Sequence, residues 1–101
     1  MSYTVRFHPL VQQDYSEAYA WYEAKQKGLG ERFLQSVRLK IEEISIHPQT
    51  FGSRSRKLFR EVQVDFFPYL IVFKIRKSTK EIFVASVHHT KKHPEKKYRT
   101  E

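Results

Sequence analysis

From residue 87 the chain reads VHHTKKHPEKKYR. His88 and His89 are adjacent, His93 follows four residues after His89, and Lys91 and Lys92 lie between. Imidazole exchanges protons most readily near neutral pH, and lysine and arginine hold phosphate. The stretch therefore contains the ingredients of metal-free RNA cleavage. That chemistry needs a base for the 2′-hydroxyl, an acid for the leaving 5′-oxygen, and cations for the charge that builds on phosphorus. His89 is the candidate acid or base. The candidates for contacting a target, a protein partner or nucleic acid are Arg54, Arg56, Lys57, Arg60, Tyr69, His88, Lys91, Lys92 and His93.

Other chemistries find less support. His89 and His93 would share a helical face, but Pro94 argues against a helix there and no carboxylate cluster accompanies them. The expectation is no metal and no cofactor. Ser86 and His88 would point to the same side of a strand, yet nothing marks a nucleophile elbow or an oxyanion loop. Ser86 is read as a small residue in a packed sheet. Glu42 and Glu43 fall on the polar side of a helix and read as a solvated face.

These groups sit on a chain of 101 residues, a length suited to one domain, residues 1–101, with residues 90–101 as a basic tail. The absence of cysteine excludes a disulfide framework and thiolate-bound zinc, and it suits a reducing compartment. No apolar run approaches the roughly 20 residues of a membrane span, and the N-terminus has no secretion-type apolar core. A cytoplasmic protein without membrane contact is expected. Charge is distributed unevenly. Residues 1–50 carry six basic and six acidic residues, whereas residues 51–101 carry thirteen and five, so the whole net charge of +8 lies in the second half. A polyanionic or acidic partner facing that half is implied.

The elements that must position these groups follow from periodicity. Tyr3, Val5 and Phe7 alternate with polar residues, as in a short strand. After Pro9 the period becomes helical, with Val11, Tyr15, Ala18 and Tyr22 on one face. Trp21 borders that stripe and is read as a packer at the core edge or the helical hairpin. Gly28 and Gly30 separate this helix from a second one, starting near Glu31. Its stripe is Leu34, Val37, Ile41 and Ile44, with Phe33 beside it, and Pro48 ends it. A polar loop follows, then three strand-like runs. LFREVQV puts Leu58, Arg60, Val62 and Val64 on one face. YLIVFKIR alternates cleanly. EIFVASVHH is almost continuously apolar, as in a strand covered on both faces. Residues 77–80 form the turn between the last two. The order β-α-α-β-β-β predicts an α+β domain, a helical hairpin packed on a mainly antiparallel four-stranded sheet. If the face carrying Arg60 is buried, its guanidinium needs an acceptor, such as Asp65 or a backbone carbonyl.

With that order, Pro48 after the second helix, LFREV, FPYLIVFKI and VHHTKKHP together resemble the RelE/ParE superfamily, toxins of type II toxin–antitoxin modules often labelled plasmid stabilisation proteins. The resemblance covers nearly the whole chain. It implies a cognate antitoxin that wraps and neutralises the toxin, and one of two activities. RelE-like members are ribosome-dependent mRNA endonucleases; ParE-like members are associated with poisoning DNA gyrase. RelE-like nucleases carry an arginine straight after the aromatic opening the third strand, where this chain has Leu70. They carry alternating lysines on the second strand, where the nearest positions are Glu61 and Gln63. A further arginine falls near Thr90, beside Lys91 and Lys92, and Tyr98 stands in the tail where such enzymes carry a tyrosine, at a different spacing. A YoeB-like subgroup ends in a catalytic histidine followed by tyrosine; His89 falls there, but Thr90 replaces the tyrosine. The ParE-like pattern is closer, with Phe67-Pro68-Tyr69 before the third strand, His89 to Pro94 after the last, and Arg60 on the second. Leucine for a phosphate-clamping arginine removes a fixed bidentate donor.

Three functions are therefore weighed. The preferred one is a non-enzymatic ParE-like toxin that binds a protein–DNA target, gyrase in the first instance. The alternatives are a metal-free mRNA endoribonuclease acting on the ribosome, and a non-toxic nucleic-acid-binding remnant of the fold.

Overall fold

The computed structural model describes residues 2–54, 58–93 and 97–100. Strand β1 (Thr4–Phe7) is followed by helices α1 (Val11–Lys25) and α2 (Leu29–Ile46). Strands β2 (Ser53–Arg54), β3 (Arg60–Gln63), β4 (Tyr69–Arg76) and β5 (Glu81–His89) complete the chain. They form one sheet in the order β1-β5-β4-β3-β2. The four expected strands and both helices are present. The two-residue β2, within the expected polar loop, makes the sheet five-stranded rather than four-stranded, because its backbone pairs antiparallel with the start of β3. All ladders are antiparallel except β1–β5, which is parallel. The connection between these two parallel strands runs through the helical hairpin and then β2, β3 and β4.

The two helices are joined at Gly28, whose φ of 89° is left-handed and favours glycine. Two residues on, a Cβ on Gly30 would lie 2.8 Å from the Tyr19 ring, so helix contact at this end depends on a missing side chain. Glu23 of α1 caps α2, its carboxylate accepting the Gly28 and Gly30 N–H groups at 2.9 and 3.0 Å. This satisfies donors that a helix start leaves unpaired.

The main core lies between the helices and one face of the sheet. It contains Val11, Ala18 and Tyr22 of α1, Phe33, Val37 and Ile44 of α2, and Ile71, Phe73, Ile82, Val84 and Val87 of the sheet. Phe33, expected beside the α2 stripe, is at its centre, stacked on Tyr22 and edge-on to Phe67 and Tyr69. Three expectations are corrected. Phe7, the last residue of β1, is exposed. Leu58 precedes the strand and is exposed, while Phe59 takes the buried place, on the opposite face. Trp21 does not pack in the hairpin: it is 57% exposed, because Tyr22 already fills the inward position.

The opposite face of the sheet is also covered. Phe59, Val72, Phe83 and Ala85 form a second apolar cluster, with Leu70 and Tyr98 against it. Here the C-terminal segment returns over the sheet, so the tail is docked where it is described. Ser86 donates its hydroxyl proton to the Lys97 carbonyl at 2.9 Å. β5 is thus buried on both faces, as its apolar run requires. A bulge opposite Val72 and Phe73 gives β5 one extra residue, which keeps Val84 and Val87 both on the helical side.

Candidate functional site

The parallel partner β1 reaches only as far as Val84 on β5. Beyond it, the edge of β5 from Ala85 to His89 has no neighbouring strand among the described residues, and α1 lies alongside instead. An uncapped edge exposes backbone donors and acceptors. Here side chains take the strand's place. The Asp14 carboxylate accepts the Val87 N–H at 3.0 Å, and Arg99 donates to the Ala85 carbonyl at 3.1 Å. Asp14 and Arg99 also pair with each other through two bonds of 2.9 Å. This clamp ties α1, the β5 edge and the C-terminal segment together.

The same edge opens into a cleft of about 790 Å³. Its α1 wall carries Leu10, Gln13, Asp14, Glu17, Ala18 and Trp21; the facing wall carries Tyr69, Val87, His88, His89, Lys91, Lys92 and His93, with Arg99 at one end. Six of the ten residues singled out from the sequence meet here: Tyr69, His88, His89, Lys91, Lys92 and His93. Arg60 does not. It is half-buried on β3, two strands away, and its Nη1 lies 3.4 Å from the Gly52 carbonyl. That is the backbone acceptor such a position needs; Asp65 pairs with Lys40 instead. Arg54 is on β2, opposite Arg60 in the ladder. Arg56 and Lys57 lie outside the described residues.

The chemistry of the cleft residues is set by their contacts. His89 meets the Tyr69 ring edge-on at 5.0 Å, and its Nδ1 accepts the Lys91 N–H at 3.0 Å. In the neutral ring this leaves the proton on Nε2. Burial, then Lys91 and Lys92, push its pKa below the usual histidine value. His88 is buried on the outer face of the sheet, Nε2 3.3 Å from the Lys92 carbonyl. Burial lowers its pKa, and Lys97 and Lys92 add to this against the opposing Lys92 carbonyl and Asp14. The Tyr69 phenol is pushed up to about 12 by burial first, then by Tyr22, Glu17 and Asp14. It remains a hydrogen-bond donor at neutral pH and no base. Among the described residues, no three His, Asp or Glu side chains gather as a metal site.

Of the positions that the superfamily resemblance would equip for cutting RNA, His89 and the Lys91–Lys92 pair beside Thr90 line this cleft, whereas others lie on the outer face of the sheet. Glu61, Leu70 and Tyr98 do come together there. Leu70 packs with the apolar cluster. Tyr98 donates its phenolic proton to Glu61, and Lys97 Nζ is 3.1 Å from the same carboxylate. Lys97 and Glu61 are each 13% exposed in their side chains. The Tyr98 ring lies 5.3 Å from Phe59. Lys97 is thus paired with an acid and covered by an aromatic ring, while Lys74, turned to the same face, holds its Nζ 5.1 Å from the centre of the Phe59 ring. Sequence reading missed both the knot and the Asp14–Arg99 clamp. Asp14 did carry a signal: it follows Val11 by three and precedes Ala18 by four, so its carboxylate borders the buried stripe and needs a partner.

The chain matches the family model for the ParE toxin of the type II toxin–antitoxin system parDE over residues 5–94. A comparison with curated proteins returns no match. Among solved structures it is similar to a chain of the chromosomal ParDE toxin–antitoxin system from P. aeruginosa, with a TM-score of 0.78 and 13% identity, covering 89% of this chain and 98% of that one. It is also similar to a mutant of the E. coli toxin RelE in the free state, with a TM-score of 0.67 and 16% identity, over 90% and 86% of the two chains. A third is a chain of the toxin–antitoxin complex RelBE2 from Mycobacterium tuberculosis, with a TM-score of 0.66 and 19% identity, over 88% and 99%. At these identities the structural likeness is one of fold. The family match spans most of the sequence, and by it this chain belongs to the ParE toxins of type II toxin–antitoxin systems.

Proposed function

We propose that the chain is a binding toxin without nuclease activity, which engages a protein–DNA target of the DNA gyrase type and is neutralised by a cognate antitoxin in a hetero-oligomer. The observation that carries this is the outer-face knot. Cleaving RNA without a metal needs unpaired cations around the scissile phosphate. At two of the corresponding positions stand Leu70, packed in an apolar cluster, and Glu61, which neutralises Lys97 and binds Tyr98. A carboxylate there repels phosphate. The excess positive charge, all of it in residues 51–101, suits a polyanionic target and an acidic antitoxin segment.

One observation favours the nuclease alternative. His89, with a neutral ring and an Nε2 proton, stands against Tyr69 in a cleft rimmed by Lys91 and Lys92. Brief expression of the chain separates the two readings. The binding toxin raises the DNA-damage response and leaves messages intact. Ribosome-dependent, codon-phased cuts that disappear in His89→Ala would overturn it. For the antitoxin, affinity falls as salt rises; an affinity indifferent to ionic strength contradicts the electrostatic part.

A further inference from the structure

Trp21 is the chain's single tryptophan, and it is not used by the fold. An indole left mostly in water forgoes the burial that normally makes tryptophan stabilising. It is nevertheless held in place. Tyr22 meets it edge-on at 5.2 Å, and Lys25 Nζ sits 4.7 Å from its ring centroid. Trp21 lines the edge cleft, and the other wall presents Lys91, Lys92 and His89. The carboxylates of the cleft are matched: Asp14 by Arg99, and Glu17 by Lys92 at 3.8 Å. Among the described residues no carboxylate is paired with Lys91. The cleft therefore combines a flat aromatic platform with surplus positive charge.

We propose that this cleft binds a nucleotide unit, with the base against Trp21 and the phosphate between Lys91 and Lys92. His89 supplies a neutral Nε2–H donor to the same ligand, since its Nδ1 is occupied by the Lys91 amide. Aromatic platforms beside cationic grooves take unpaired bases of any sequence, because every base has a π-face. The volume of about 790 Å³ falls in the range of small-ligand clefts. The α1 wall from Leu10 to Trp21 is about 16 Å long at helical rise, room for a nucleotide and its phosphates. A duplex hides its base faces and cannot use the indole. Two sources share the recognised chemistry, a free nucleoside monophosphate and a single-stranded polynucleotide. The inference concerns the chain alone, so it stands or falls separately from the gyrase or ribosome question.

The single tryptophan makes the test direct. Trp21 fluorescence of the full chain is followed while dTMP, a thymidine hexanucleotide or a uridine hexanucleotide is added in separate arms. Saturable quenching is expected. Hexanucleotides binding at least tenfold tighter than dTMP identify a single strand as the source, and equal affinities identify the free nucleotide. Joint Lys91→Ala and Lys92→Ala substitution weakens binding tenfold or more. Trp21→Leu, followed by anisotropy of a labelled hexanucleotide, weakens it about 5- to 150-fold. All three side chains are exposed, and circular dichroism checks that the variants are folded. The proposal is overturned by the absence of saturable quenching in all three arms. Equal quenching by polyglutamate, or duplex binding of equal strength that Trp21→Leu leaves unchanged, overturns it as well, since either shows attraction to charge alone.

Discussion

The clamp between Asp14 and Arg99 yields the most quantitative prediction. Its two guanidinium–carboxylate bonds are both 2.9 Å, and its side chains are 14% and 21% exposed. Exposed pairs couple by about 0.2–1 kcal/mol, whereas breaking a buried pair costs about 3–5 kcal/mol because one charge is stranded. This pair lies between those limits. It also satisfies the Val87 N–H and the Ala85 carbonyl on the unpartnered edge of β5. We therefore expect Arg99→Met to cost about 2–3 kcal/mol, and the double-mutant cycle with Asp14→Asn to give a coupling of about 2 kcal/mol. For a domain of this size, 2 kcal/mol corresponds to a fall in Tm of about 8–16 °C. Urea denaturation of the four proteins gives the coupling, and exchange of the Val87 amide, expected to accelerate in Asp14→Asn more than at Ile82, localises it. A coupling under about 0.5 kcal/mol, with Val87 exchange unchanged, refutes the clamp as the substitute for a missing strand.

Four further outcomes are expected. His88 has a folded pKa below its unfolded value near 6.5, so the unfolded chain binds the extra proton; stability is complete above about pH 6.5 and falls as pH drops from there toward the folded pKa. His88→Gln flattens that slope between pH 7.5 and 5.5, and an unchanged slope in denaturation curves contradicts the assignment. Glu23→Ala, which uncaps α2, costs about 1–2 kcal/mol by chemical denaturation, with Glu23→Gln milder; no loss removes Glu23 as the cap. Phe66 has φ of 70° and is 92% exposed, so Phe66→Asn relieves left-handed strain without losing burial and raises stability by about 0.5–1 kcal/mol; a loss in thermal melts refutes this. Leu70→Arg buries a cation beside the apolar cluster and costs about 2 kcal/mol or more, and it creates no mRNA cleavage on ribosomes; cleavage by this variant shows that the outer face was one residue from a nuclease.

Much of the fold was legible from local pattern, and the failures share a cause. β5 could be read as doubly covered because its apolar run is unbroken, and α2 because its stripe keeps the helical period. Trp21 and Leu58 were misplaced because periodicity fixes a face only to within a residue, and the neighbours Tyr22 and Phe59 took the inward positions. The five-stranded count escaped because a two-residue strand has no pattern of its own. The cleft residues at and after the end of β5 were visible as a cluster of histidines and lysines close together in sequence. The Asp14–Arg99 clamp and the Glu61–Lys97–Tyr98 knot were not, since each joins residues 36 to 85 positions apart. Only the return of the C-terminal segment over the sheet brings them together.

The account turns on whether this ParE-family chain cuts RNA or binds its target. The most direct measurement places the purified full chain in two reactions at equal concentration: DNA gyrase with relaxed plasmid, and ribosomes translating a message whose 5′ ends are mapped. The account predicts that supercoiling is inhibited and gyrase–DNA cleavage complexes accumulate, while the message stays whole. Intact supercoiling together with codon-phased message cuts that His89→Ala abolishes would contradict it.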